Sequence, residues 1–371
     1  MTLDANCSVE VLPDVCKLAF AGQEIGVISL GRSFDVQSNN FAAILLLPLA
    51  MASRQDLVIP GLGDPALAHN LSRLSRVWQA WMPELFGEVT VSFETSHTPP
   101  RASSNRDLVL YSGGVDSTYN LLNRVSRGES QDLLTVHGLD YRYHDDAKFS
   151  SLLEKTSGFS TGICENHYRI KTDAYDAYGA LGIDSGLAHI YVLAGLLFMH
   201  EMQYRAGEIA ADYSRIEEYL FWPWGTSSVT NDYFCGSGFA LRTADQDIDR
   251  VQKMELLASS PEALSGLSVC KDYSFRPNNC GVCAKCLRTK LQFEAATGDV
   301  PEIFADSRSI TQAQIRYLSD KGKHEQVFLL QAFHHAARRG ISIDGLSEAA
   351  GKLKRQKEKP RKKSGFFFWK K

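Results

Sequence analysis

Residues 108–122 read Leu-Val-Leu-Tyr-Ser-Gly-Gly-Val-Asp-Ser-Thr-Tyr-Asn-Leu-Leu, an apolar run that breaks at two glycines and then resumes. Residues 108–111 have the length and composition of a buried strand, while Asn120, Leu121 and Leu122 continue an apolar face at helical spacing. The glycines therefore fall on a strand-to-helix turn. Such a turn presents the unpaired first N–H groups of the helix and the positive end of its dipole. Adjacent glycines let a ligand approach the backbone, so an anion is the expected guest. A plain glycine turn is the bland alternative.

Outward from this stretch, strands and helices alternate. Strand-like runs at 133–136, 168–170 and 207–211 are separated by helical segments, including a long one over 187–202. Repeated strand–helix units imply an α/β fold. We expect a parallel five-stranded doubly wound sheet with helices on both faces and ligands beyond the carboxyl ends of its strands. Residues 1–104 read as an N-terminal α+β extension, with short β-like runs at 9–12 and 25–30, a helical stretch at 71–85 and a strand at 89–93. A polar linker at 95–106, rich in Ser and Pro, closes it. Residues 105–300 hold the glycine turn and a cysteine-rich loop, 301–350 read as a C-terminal helical extension, and 351–371 as a basic tail without order.

Composition limits the function classes. The chain has 371 residues, 44% of them apolar, which suits a soluble globular protein. No apolar run reaches the roughly 18–20 residues of a membrane span; the longest, 41–51 and 190–199, are of core length. The opening MTLDANCSVE lacks a signal-peptide layout, so a cytoplasmic location is expected. The net charge of −3 hides an asymmetry: of 40 Lys and Arg and 43 Asp and Glu, ten bases and one acid fall in 351–371, leaving 30 bases against 42 acids elsewhere. So acidic a body is not expected to bind nucleic acid in general, because neutralising phosphates needs a basic face. The tail ends Phe366-Phe367-Phe368-Trp369-Lys370-Lys371, a cluster suited to a partner groove, an anionic membrane surface or a single strand, or else to packing back on the body.

Four of the eight cysteines crowd together as Cys270-x9-Cys280-Gly281-Val282-Cys283-x2-Cys286. Four thiolates on tight loops suit tetrahedral Zn²⁺, and four protein ligands leave no open position, so the site reads as structural. A redox role is the alternative, but a thioredoxin-like motif needs one pair at a helix start. Cys7, Cys16, Cys164 and Cys235 read as small buried apolar residues.

The glycine turn lacks the Lys of a Walker A loop and the third Gly of a dinucleotide fingerprint. Ser-Gly-Gly-x-Asp-Ser after a strand instead resembles the PP-loop of the ATP pyrophosphatases, which cleave ATP between the α and β phosphates. The resemblance implies an ATP site of Tyr111, Ser112, Gly113, Gly114, Asp116, Ser117 and Thr118. In it the hydroxyls and exposed amides hold phosphate, and Asp116 holds Mg²⁺. It places adenine and ribose near His137 and Gly138. Asp184, Ser185 and Gly186, at the start of the long helix, would take a second phosphate or the reacting carboxylate; a simple N-cap is the alternative. His189, on the first turn of that helix, reads as a packed helix histidine.

The loop and the cysteine pattern together resemble QueC-like 7-cyano-7-deazaguanine synthases of the queuosine-biosynthesis type, over residues 107–298. The resemblance implies that ATP activates a 7-carboxy-7-deazaguanine carboxylate as its adenylate. Ammonia then gives an amide, and a second activation dehydrates it to a nitrile. This chain departs from the compact family pattern by its two extensions and by the stretch Phe221-Trp222-Pro223-Trp224-Gly225-Thr226-Ser227-Ser228 with Asn231-Asp232-Tyr233-Phe234. There Trp222, Trp224 and Phe234 suit stacking on a planar base, with Ser227 and Asp232 at its edge; a hydrophobic lid is the alternative. Arg250 and Lys253, three apart on a helical face, suit charge stabilisation of the leaving pyrophosphate beside Asp116 and Ser117; an exposed charged helix is the alternative. Enlarged relatives occur in anti-phage operons, among them the QatC type and a member of type IV cyclic-oligonucleotide signalling (CBASS) defence. For them the resemblance implies attachment of a deazaguanine to an amine of a protein partner from the same operon, held by the extensions. A tRNA-modifying PP-loop enzyme, disfavoured by the acidic body, and a non-catalytic nucleotide-binding scaffold are the other readings.

Overall fold

The structure, a computed structural model, describes residues 7–100, 102 and 104–358. It opens with a meander of β1 (Cys7–Val11), β2 (Val15–Phe20) and β3 (Gln23–Ser29). β2 alternates, putting Cys16, Leu18 and Phe20 in the core, as a half-buried strand does. The wholly apolar stretch near residue 45 becomes α1 (Asn40–Ser53), buried along nearly its whole length. β4 (Leu57–Gly63) and β5 (Val91–Ser96) form a two-stranded parallel ribbon flanking α2 (Pro65–Trp81), which Asp64 caps and Pro65 starts.

The expected alternation follows. β6 (Asp107–Leu110) leads to α3 (Val115–Ser126), β7 (Gln131–His137) to α4 (Asp146–Ser160), and β8 (Cys164–Thr172) to α5 (Ala174–Ala180) and α6 (Ser185–Phe198). β9 (Ala206–Ala210) is followed by α7 (Arg215–Phe221), a short 3₁₀ turn (Asn231–Tyr233) and β10 (Leu241–Ala244). These five strands are parallel, in the order β8-β7-β6-β9-β10. The sheet does not stop there, and the expectation of five strands is corrected to eight. β3 pairs antiparallel with β8 through Val27–Thr172, Ile28–Lys171 and Ser29–Ile170, bringing β2 and β1 in after it. Pairing over such a sequence separation leaves no local trace. It does cover the edge that β8 would otherwise expose.

The N-terminal segment therefore shares the core of the loop-bearing sheet. α1 packs on α6, so closely that a Cβ on Gly195 would lie 2.6 Å from Leu45 Cγ, and Tyr178 donates its hydroxyl to the Leu45 carbonyl at 2.7 Å. Both long apolar runs of the sequence are thus core helices, and no helix among the described residues is long and apolar enough to cross a membrane. At the amino edge of the parallel strands, Arg124 is 2% exposed and lies 2.8 Å from Glu208 and 3.1 Å from Asp107. Asn120 donates to the same Glu208 at 2.9 Å, so these buried charges are paired and hydrogen-bonded.

Two compact units result: residues 1–249 with 260–268, and residues 250–259 with 269 onward. α9 (Pro261–Gly266) packs on α4 in the first. The second holds α8 (Arg250–Ala258), the cysteine loop, and α10 (Ala284–Thr297), α11 (Gln312–Asp320), α12 (Lys323–Arg339) and α13 (Leu346–Glu358). From Cys286 to Ala296 every residue of α10 is buried, and it packs on α8 and α12. α13 runs on to Glu358, so the start of the basic segment is helical. The aromatic cluster at 366–369 lies outside the described residues.

Candidate functional site

The turn after β6 is built as its sequence requires. Gly113 has φ +71°, and a Cβ there would lie 2.7 Å from Thr156 Cγ2, so only glycine fits. Gly114 is the N-cap of α3 and Asp116 lies in its first turn. The loop braces itself. Ser117 Oγ lies 3.2 Å from both the Ser112 amide and Ser112 Oγ, and the Gly114 amide donates to Ser112 Oγ at 3.3 Å. The Gly113 carbonyl accepts from Ser268 at 2.8 Å. Ser112 is exposed and Asp116 partly so, whereas Ser117 is nearly buried and Thr118 wholly so. Tyr111 is buried as well, continuing the strand by donating to the Leu134 carbonyl at 2.9 Å.

β6 has β7 on one side and β9 on the other, so the chain's crossovers part at this strand. Here an open α/β sheet makes its crevice. The last β6–β9 pair is Val109–Glu208, and counting four residues on from each reaches Gly113 and Asp212. Paired strands stand about 4.8 Å apart, and the β6–β9 pairing ends at that pair.

Next to the loop stands the end of β7. His137 is fully buried, stacked on Phe149 at 4.4 Å, with Nε2 2.8 Å from the Arg142 carbonyl, and burial lowers its pKa. Gly138 has φ +108°, and a Cβ would lie 1.8 Å from the Thr172 carbonyl oxygen. Both residues shape the wall, and the exposed residue beyond them is Asp140. On the other side, Asp184 caps α6 by accepting from the Gly186 amide at 2.7 Å, with Asp184 and Ser185 exposed. Burial, then the carboxylates of Asp140, Asp212 and Asp184, pushes the Tyr175 phenol far above its usual range. Three loops thus bring acids to one neighbourhood.

The aromatic stretch divides. Trp224 donates from Nε1 to Asp212 Oδ2 at 3.1 Å and lies 5.4 Å from the His189 ring. Trp222 is 54% exposed and meets Trp81 edge-on at 5.8 Å. Phe234 is fully buried against Tyr191, inside the core. Asp232 is exposed, while Ser227 Oγ bonds Thr230 Oγ1 at 2.8 Å. The sequence did not mark Asp212 or Thr226 as site residues, which meet His189 from 23 and 37 positions away; Asp212 is a polar residue just past a strand, and Thr226 lies in the loop after α7 with no such signal.

Arg250 and Lys253 lie on α8, in the second unit, and both are buried rather than on a solvated face. Arg250 stands 5.7 Å over the Phe328 ring, and Arg288 stands 4.7 Å over the same ring.

The cysteine cluster is compact. The sulfurs of Cys270, Cys280, Cys283 and Cys286 all lie within 4.8 Å of one another, with Cys270–Cys283 and Cys280–Cys286 at 3.9 Å. Tetrahedral Zn²⁺ with its usual bonds to sulfur needs about 3.8 Å between ligands, so the set can hold a zinc ion. Amides of Val282 and Cys283 point at Cys280 Sγ, at 3.5 and 3.3 Å. Gly281, at φ +77°, lets that turn close, since a Cβ would lie 2.4 Å from the Asp306 carbonyl oxygen. Of the other cysteines only Cys16 is fully buried.

A scan against protein-family models finds no match, and no curated protein matches the chain.

Proposed function

We propose that this chain is an ATP-dependent, adenylate-forming enzyme of the QueC-like PP-loop type. It activates a planar acid of the deazapurine-carboxylate class with release of pyrophosphate and passes the acyl group to an amine, either ammonia or an amine of a protein partner. The observation that carries the reading is the glycine loop, with its exposed Ser112 and its open helix N-terminus, at the strand where the crossovers part.

A carboxylate is a poor acyl donor at neutral pH, and an adenylate makes its oxygen a leaving group. The amides of Gly114 and Val115 and the hydroxyls of Ser112 and Ser117 suit the β and γ phosphates, while Asp116 suits a magnesium ligand. Magnesium would neutralise charge on the departing pyrophosphate. No side-chain nucleophile is required; positioning and fixed dipoles supply the rate. The four-cysteine zinc site would pin the second unit and take no part in the chemistry.

The test is pyrophosphate release from magnesium-ATP with 7-carboxy-7-deazaguanine. Ser112→Ala and Asp116→Ala should each reduce it by on the order of 10² or more. Wild-type protein that neither releases pyrophosphate nor binds ATP in calorimetry refutes the reading, and biological activity retained by both variants selects a scaffold.

A further inference from the structure

His189 has both ring nitrogens engaged. Nδ1 lies 3.2 Å from the Ser185 carbonyl oxygen, which only accepts, so in the neutral ring Nδ1 carries the proton and Nε2 the lone pair. Nε2 lies 2.5 Å from Thr226 Oγ1, so the Thr226 hydroxyl donates to it and keeps its own lone pairs for another donor. Asp212 Oδ2, held by the Trp224 indole, is 3.7 Å from the same Nε2. Two glycines make the arrangement possible: a Cβ on Gly225 would lie 2.7 Å from His189 Cε1, and one on Gly186 2.7 Å from Trp224 Cζ3. A histidine oriented by a carbonyl, with a hydroxyl on its basic nitrogen, is arranged to move a proton. Thr226 is only 5% exposed, while the His189 side chain keeps 15% exposure, so a proton taken from Thr226 has a way out through the ring.

His189, in the first turn of α6, lies 3.7 Å from Asp212, two residues past the carboxyl end of β9, and β9 is the neighbour of β6, which leads into the glycine loop. An adenylate formed at that loop needs an attacking amine, and an amine is a cation at neutral pH until it loses a proton. Asp140, Asp184 and Asp212 around Tyr175 give this edge a field that favours a cation.

Resting on the adenylating reading above, we propose that Thr226 and His189 form the subsite of the attacking amine, Thr226 relaying its proton and His189 accepting it. The ammonium gives one proton to Thr226 Oγ1 as the Thr226 proton passes to Nε2, and His189 releases it to water. The freed lone pair forms the C–N bond. The C–O bond to AMP breaks with its electron pair on the phosphate oxygen, and the second surplus proton on nitrogen leaves by the same route.

The full chain is assayed with 7-carboxy-7-deazaguanine and magnesium-ATP in three ways: ATP–pyrophosphate exchange, amide formation from ammonium chloride, and hydroxamate formation from hydroxylamine, which is already uncharged at neutral pH, so that no proton has to be removed before it attacks, and whose surplus proton after attack is acidic enough to pass directly to water. His189→Ala and Thr226→Val should keep exchange and hydroxamate formation within about threefold and lose amide formation by roughly 10²–10⁴. Thr226→Ser should restore the relay, and added imidazole should recover amide formation in His189→Ala. The proposal is overturned if His189→Ala forms amide at the wild-type rate, or if exchange, hydroxamate and amide fall together, which marks a structural role. Absence of exchange in the wild type refutes the adenylating reading, and the proposal with it.

Discussion

Gly113 and Thr156 touch across the gap between the glycine loop and α4: a Cβ built on Gly113 would stand 2.7 Å from Thr156 Cγ2, and the Gly113 backbone already has φ +71°. Strain and collision therefore act together at one position. Gly113→Ala should destabilise the first unit by about 1–3 kcal/mol and displace the loop. Urea unfolding checks the first effect and ATP binding the second. A paired Gly113→Ala, Thr156→Ser variant should recover part of the loss, because the collision, not the dihedral, is relieved.

The cysteine cluster gives an independent expectation. Purified protein should carry one zinc per chain, measured by elemental analysis. Cys283→Ser or Cys286→Ser should lose it, with destabilisation of several kcal/mol in the second unit. Cys16→Ser, in the first unit's core, should leave zinc content unchanged. A metal-free chain with the wild-type melting temperature contradicts a structural site.

What the sequence made legible was local. The strand-to-helix break at Ser112–Gly114, the alternation from residue 107 and the spacing of Cys270, Cys280, Cys283 and Cys286 each lie within a short window where chemistry and geometry are coupled. What it hid was non-local. The β3–β8 pairing joins residues some 143 apart, and no periodicity in Gln23–Ser29 says which strand it will meet. The His189–Thr226–Asp212 grouping is hidden for the same reason, since three loops must converge before an ordinary helix histidine has a hydroxyl on its nitrogen. Phe234 shows the converse: an aromatic beside polar residues resembles a stacking platform until its burial against Tyr191 is seen.

His200 makes the first unit sensitive to acid. Burial lowers its pKa to about 4, against roughly 6.5 in the unfolded chain. Between those values the unfolded chain holds a proton that the folded one does not. The stability due to neutral His200 is thus fully present above about pH 6.5 and is lost as pH falls towards 4. His167, lowered by burial to about 4 as well, acts in the same direction. Chemical denaturation from pH 7 to 4.5 should show stability falling, and His200→Gln should reduce the slope by up to about 1.4 kcal/mol per pH unit. An unchanged slope means that His200 is protonated in the folded state.

Two aromatics of the segment between β9 and β10, Trp222 and Phe234, should part company under mutation. Phe234 is fully buried in an edge-on pair with Tyr191, so Phe234→Ala removes core volume that the close packing of α1 and α6 cannot refill. Its expected cost is about 3–5 kcal/mol. Trp222 is 54% exposed and touches Trp81 at its edge, so Trp222→Ala should cost under about 1 kcal/mol. If Trp222 stacks on a planar substrate, its removal should weaken binding of 7-carboxy-7-deazaguanine by roughly 5–100-fold, of the size base–aromatic stacking supplies, while the melting temperature stays near wild type. Thermal melts and calorimetry on the two variants separate the roles. Equal destabilisation by both would make the stretch a hydrophobic cover, and weaker binding from Trp222→Ala alone would make it part of the substrate site.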